Sequence, residues 1–202
     1  MSKITRIVVL ATALTSLFGV LSATAGAITW HNTGNTAFTA HGGAMTLSST
    51  GGPLTCVTST TTGSAPAAVV GATYTATATV TFDGCRLLSL NAHMHCHVGL
   101  TGTTFSAGVT SGSADVTCSV YQAGVNVCHI FGSTAVSYTN PNGATAGRIS
   151  IPVANTLVTS NPASGTCPLG NGERVSLTAQ TITVTSGTGG SGTLGPIINR
   201  TA

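Results

Sequence analysis

From Tyr74 to Phe82 the chain alternates residue by residue. Tyr74, Ala76, Ala78, Val80 and Phe82 fall on one parity, and Thr75, Thr77, Thr79 and Thr81 on the other. Period-two patterning of this kind turns one side to a core and the other to solvent, which makes the segment a half-buried β-strand. Threonine and valine, branched at Cβ, favour the extended backbone. Asp83-Gly84 follows as a turn signal, with Cys85 just beyond it. Val116, Cys118 and Val120 share an apolar phase, Gln122-Ala123-Gly124 breaks it, and Val127-Cys128-His129-Ile130 resumes extended character, so these segments read as a hairpin.

The same reading extends along the chain. Residues 135–139 and 148–153 are strands separated by the strong turn Asn140-Pro141-Asn142-Gly143. Asn161-Pro162 and Gly170-Asn171-Gly172 mark two further turns. Residues 175–185 are apolar at 175, 177 and 179, then at 182 and 184, and the slip between Ala179 and Ile182 calls for a β-bulge or bend. Residues 28–30, 38–40 and 45–48 are short strands interrupted by Gly34, Gly42-Gly43 and Gly51-Gly52-Pro53, whereas the polar stretch 59–66 reads as a loop. No stretch of ten or more residues carries helical periodicity. Short strands with regular turn signals predict one antiparallel β-sandwich, with a β-barrel as the alternative.

The first residues carry an export signal. Lys3 and Arg6 precede an apolar, uncharged run at 7–20, and Ala23-Thr24-Ala25-Gly26-Ala27 supplies small residues for cleavage after Ala27. The run is shorter than the roughly 20 residues that span a bilayer, which disfavours an uncleaved anchor. The expected organisation is a signal peptide at 1–27, a β domain at 28–186 and a Gly/Ser-rich flexible tail at 187–202, with no membrane span after cleavage. All six cysteines (Cys56, Cys85, Cys96, Cys118, Cys128 and Cys167) lie beyond the signal. An even count behind an export signal implies disulfides, and the absence of any C-x-x-C pair argues against a zinc–thiolate site. Six cysteines allow fifteen pairings. An up-and-down strand order favours Cys56–Cys85, Cys96–Cys118 and Cys128–Cys167.

Beyond the signal there is no lysine. Arg86, Arg148, Arg174 and Arg200 face Asp83, Asp115 and Glu173, so removing Lys3 and Arg6 takes the formal charge from +3 to +1. No cluster of bases exists to neutralise phosphates, which excludes nucleic-acid binding. The surface is expected to be neutral and hydroxyl-rich, with little charge repulsion to oppose self-association.

The most suggestive chemistry is His93-Met94-His95-Cys96-His97. On a strand, His93, His95 and His97 line one face while Met94, Cys96 and Val98 face the core. Adjacent imidazoles, joined by His129 or a carboxylate, form a candidate site for Zn or Cu. The competing readings are a plain solvent face and a face that gains charge below about pH 6. His31 and His41 sit among loop residues and could join such a site. Catalysis finds little support. There is no G-x-S-x-G elbow, only three acids follow the signal, and the cysteines are expected to be oxidised. The G-x-G-x-x-G match at 187–192 has no helix to follow it, and the Asn199-Arg200-Thr201 sequon is read as chance. Among aromatics able to stack on a sugar, Tyr74 and Tyr138 lie on core phases, whereas Trp30 and Tyr121 are freer.

Thr81-Phe82-Asp83-Gly84-Cys85, Val116-Thr117-Cys118, Cys128-His129-Ile130-Phe131-Gly132 and Gly165-Thr166-Cys167 together resemble segments of uncharacterised secreted cysteine-containing β proteins of high-GC Gram-positive bacteria. Those proteins share an early TF-x-GC segment, Gly-rich hairpins and a late GC before a final strand. The resemblance implies an exported, disulfide-containing β domain and no particular activity. The histidine-rich strand is not part of that pattern. The expected function is that of a secreted or cell-surface, non-enzymatic protein, structural or adhesive, that self-associates or belongs to the cell envelope. The alternative is an extracellular module that binds metal through the histidine strand, or glycan.

Overall fold

The computed structural model describes residues 27–163, 165–185 and 195–201. The expected export signal lies outside the described residues except for Ala27, as do residues 187–194 and Ala202 of the expected tail. The chain forms β1 (Thr29–Asn32), β2 (Ala37–Gly42), β3 (Met45–Ser49), β4 (Gly52–Cys56), β5 (Thr58–Ser64), β6 (Ala68–Val70), β7 (Tyr74–Leu87) and β8 (Leu90–Ser106). It continues with β9 (Val109–Gln122), β10 (Val125–Thr139), β11 (Gly147–Ile151), β12 (Ala154–Ser160), β13 (Arg174–Leu177), β14 (Gln180–Thr185) and β15 (Ile198–Thr201). No helix occurs among the described residues.

Four long strands, β7 to β10, form an antiparallel meander joined by two-residue turns at Leu88-Ser89, Ala107-Gly108 and Ala123-Gly124. Both residues of each turn have positive φ, between 48° and 81°. This is the type I′ geometry whose twist matches that of paired strands. The dipeptide read as a turn, Asp83-Gly84, instead lies inside β7. The register with β8 shifts between Phe82 and Cys85, and Gly84 takes φ 63°, so the left-handed preference of Asp-Gly serves a bulge rather than a chain reversal. The stretch read as a loop at 59–66 is largely strand β5, whose inward positions Ser59 and Thr61 are polar yet buried.

Pairing closes on itself twice. On the side away from β8, β7 pairs first with β5 and then with β4. On the side away from β9, β10 pairs with β12 near Ile130 and with β11 near Tyr138. One ring therefore runs β7-β8-β9-β10-β11-β14-β2-β5 and returns to β7. The other runs β7-β8-β9-β10-β12-β13-β3-β4 and also returns. The expected antiparallel β domain with three disulfides is present, as two barrel-like rings sharing a four-strand wall. All twelve strands of this net have partners on both sides, so among the described residues the free edge strands are β6 and β15 of the separate sheet β15-β1-β6.

The interior has two parts. One holds all six cysteines together with Leu47, Leu54, Leu87, Met94, Val120 and Ile130. The other is aromatic and aliphatic, built from Trp30, Phe38, Tyr74, Ile149, Val184 and Ile198. The disulfides are Cys56–Cys85, Cys96–Cys118 and Cys128–Cys167, the expected pairing. Cys96 and Cys118 are register partners on neighbouring strands, whereas Cys128 reaches from β10 to the loop between β12 and β13. The slip expected between Ala179 and Ile182 lies slightly earlier: the chain leaves strand at Thr178-Ala179, Ala179 is exposed, and β14 runs unbroken from Gln180.

The expected flexible tail is corrected at its end. Ile198 is buried, and β15 pairs with β1 from Asn32 opposite Ile198 to Thr29 opposite Thr201. Polar side chains hold it in place. Asn140 donates Nδ2–H to the Ile198 carbonyl at 2.7 Å and accepts the Ile198 N–H at 3.0 Å. Tyr138 donates its hydroxyl to the Pro196 carbonyl, and Asn32 Oδ1 accepts the N–H of both Gly34 and Ile197.

Candidate functional site

The register of the shared wall sets which side chains meet on its outer face. His93, His95 and His97 are exposed on β8, and Ala92, Met94 and Cys96 are buried between them, as the alternation requires. One row runs Thr183–His41–Thr60–Thr81–His95–Ser119–His129–Ser160 across eight strands. The next runs Thr185–Thr39–Thr62–Thr79–His97–Thr117–Phe131–Val158. The third runs Ala37–Ser64–Thr77–Gly99–Asp115–Ser133.

This geometry does not gather the histidines expected to bind metal. His93 and His97 are four residues apart on a strand, roughly 13 Å. His95 and His129 have Ser119 between them, about two strand spacings or roughly 9.6 Å. His129 Nδ1 lies 3.2 Å from Ser119 Oγ, and Nε2 lies 3.3 Å from Asn126 Nδ2. Donation by the Asn126 amide makes Nε2 an acceptor and leaves Nδ1–H to donate to Ser119, so both ring nitrogens are engaged. His95 and His97 turn Nδ1 to the hydroxyls of Thr81 and Thr79 at 3.3 and 3.5 Å. Among the described residues no group of three or more His, Cys, Asp or Glu could hold a metal ion. His41 shares the His95 row but is separated from it by Thr60 and Thr81, and His31 lies on β1 of the small sheet.

The aromatics divide differently from expectation. Trp30 is fully buried, 5.9 Å from the Tyr74 ring, with the Arg200 guanidinium 5.3 Å from its centroid, so it is unavailable to a sugar. Tyr74 is buried and donates to the Pro66 carbonyl. Burial pushes the Tyr74 phenol up to about 12, with the Asn32 side chain opposing the shift. Burial, followed by the charge of a neighbouring Tyr74 phenolate, raises that of Tyr138. Tyr121 is half-buried on the outer face, edge-on to His95 at 6.1 Å. Phe131, which sequence reading passed over, is 43% exposed beside Thr117.

The interior offers little room. Two cavities of about 60 and 80 Å³ share Leu100, Val136 and Ile149. Each carries one buried hydroxyl without a partner, Thr110 in the first and Thr61 in the second. The larger space is outside. Above Gly99, in the third row, lies a trough of about 610 Å³. Its walls carry the side chains of Thr62, Ser64, Thr77, Thr79, Asp115 and Thr117, with His97 at one end. Asp115 is exposed and is the one carboxylate in the lining. Neither Gly99 nor Asp115 carries a motif, so only the strand register could have brought them together. No protein-family model, curated protein or solved structure matches the chain.

Proposed function

We propose that this chain is a secreted or cell-surface protein, non-enzymatic and adhesive, that works through the outer face of β5 and β7 to β10. The observation that carries this reading is the pair of uninterrupted eight-residue rows, almost all neutral hydroxyls and imidazoles, on a scaffold whose six cysteines are all paired. Three disulfides suit an oxidising compartment. No helix among the described residues is long and apolar enough to cross a membrane. Every strand of the twelve-strand net has partners on both sides, so in this reading adhesion falls to the side chains of the face rather than to strand edges.

Expression of the full chain in a Gram-positive secretion host tests this proposal, followed by fractionation, thiol labelling and co-sedimentation with purified cell envelopes. Protein outside the cytoplasm, with no labelled thiol and sedimenting with envelopes, is the expected result. Cytoplasmic retention with reactive thiols, or oxidised protein that ignores envelopes, overturns it.

A further inference from the structure

We infer that the trough above Gly99 is a binding site for a neutral, hydroxyl-rich chain, a segment of polysaccharide. The inference rests on the adhesive reading above and names its ligand class.

Gly99 is a glycine that neither a steric contact nor its backbone conformation requires. Gly99 lies in the interior of β8, the longest strand, where glycine costs roughly 0.5–1 kcal/mol relative to alanine. Other strand glycines are explained. A Cβ at Gly63 would strike the Phe38 ring, at Gly102 the Thr110 methyl, at Gly112 the Thr101 carbonyl, and at Gly147 the Tyr138 hydroxyl. Gly52, Gly84 and Gly132 have positive φ, and Gly42 abuts Ser59. At Gly99 a Cβ would meet nothing nearer than the Asp115 Cβ at 4.0 Å, and φ is not left-handed. Glycine within a strand often marks a bulge, a tight bend or the close approach of a ligand, and the register of β8 with β7 and β9 is regular at Gly99. Here it lies on the outer face, between Thr77 and Asp115.

The chemistry of the walls selects the visitor. The hydroxyls of Thr62, Ser64, Thr77, Thr79 and Thr117 can both donate and accept, and the Asp115 carboxylate has the capacity to accept from two adjacent hydroxyls of a ligand. No arginine or lysine lines the trough, so an anion finds no partner. Threonine methyls, Ala78 and Val98 put apolar surface beside these hydroxyls, a mixture that suits the alternating C–H and O–H surface of a sugar better than a purely apolar tail. A neutral polyol matches this inventory. Phe131, in the row just past Thr117, offers an exposed apolar ring for the C–H face of a sugar unit. Two contacts already hold the walls in place, Ser64 Oγ to Thr77 Oγ1 at 3.3 Å and Thr79 Oγ1 to His97 Nδ1 at 3.5 Å.

The test uses the disulfide-intact chain without a His tag. Calorimetric titrations with cellohexaose, maltohexaose, mannohexaose, xylohexaose and chitohexaose compare wild type with Gly99→Thr and Asp115→Asn. Gly99→Thr sets a branched side chain on the floor of the trough, where a Cβ meets no atom nearer than 4.0 Å, so it is expected to melt no lower than wild type while losing saccharide affinity by about tenfold or more. Asp115→Asn keeps the fold and weakens binding. Saccharide binding that survives Gly99→Thr overturns the site. No binding of any hexaose by wild type overturns the ligand class. In that case retained envelope co-sedimentation leaves the adhesive reading standing, and its loss takes both down. If Gly99→Thr fails to fold, Asp115→Asn with unchanged affinity is the overturning result.

Discussion

Reduction of the disulfides is expected to remove most of the stability of this fold. The three bridges close loops of 29, 22 and 39 residues by sequence separation. The loops do not overlap, so in the chain-entropy description their contributions add. Cys56–Cys85 is worth about 3.6 kcal/mol, Cys96–Cys118 about 3.4 and Cys128–Cys167 about 3.9, together about 11 kcal/mol. A folded domain has about 5–15 kcal/mol in total. Loss of one bridge should therefore leave the chain folded, whereas loss of all three should remove most of its stability. All six sulfurs belong to one part of the interior, whereas Trp30, the single tryptophan, is buried in the other. Urea unfolding followed by Trp30 fluorescence thus reads an event in the cysteine-free part. With a slope of about 2 kcal/mol/M, removing one pair by Cys→Ala should lower the midpoint by about 1.5–2 M. Full reduction under equilibrating denaturant should leave no folded baseline. A reduced chain with unchanged midpoints by both Trp30 fluorescence and circular dichroism would refute the bracing role. A Trp30 transition that ignores the bridges while circular dichroism shifts would refute the coupling of the two parts.

Asn32 joins β1, the β15 end and the segment before β6 through four hydrogen bonds: Oδ1 accepts from Gly34 and Ile197, and Nδ2 donates to Asn35 and Ala65. Asn32→Ala should cost about 2–4 kcal/mol in a urea titration, and Asn32→Asp, which keeps the acceptor and loses both donors, should recover only part of it. Tyr74 and Tyr138 ionise later in the folded chain than the ordinary phenol value of about 10. The folded state thus retains protons that the unfolded state releases. Stability should hold below pH 10 and decline as pH rises through about 12, which melting temperatures across pH 8 to 12.5 would show. A flat profile over that range counts against the burial of both hydroxyls.

Much of the fold is legible wherever apolar side chains mark the inward parity. The run from Tyr74 to Phe82 and the Val116–Val120 phase are in β7 and β9, and Gln122-Ala123-Gly124 does break them at a hairpin. β5 escaped because its buried parity is Ser59, Thr61 and Gly63, and the period-two signal needs hydrophobic residues to be seen. Asp83-Gly84 misled because the same φ preference serves a turn or a bulge, and only the pairing of Cys85 with Ala92 decides between them. β15 looked like tail because its anchors, Asn32, Tyr138 and Asn140, are 58 or more residues away along the chain. The cysteine pairing was readable from strand order, and the outward histidines from parity. Their failure to converge was not, since it depends on Ser119 lying between His95 and His129.

The position of the trough follows from how the two parts of the interior meet. Val98 packs against both, and Gly99 is the next residue, facing outward. The walls of the trough are therefore carried by strands held by disulfides toward one end and by the Trp30 and Tyr74 cluster toward the other. Such a site is placed by backbone pairing on both sides of every strand rather than by a loop, which favours a preformed surface over one that closes on its ligand. The same arrangement ties recognition to oxidation state. Loss of the bridges loosens β7, β8 and β9 at Cys85, Cys96 and Cys118, and the spacing between Thr77, Gly99 and Asp115 depends on those three strands remaining in register.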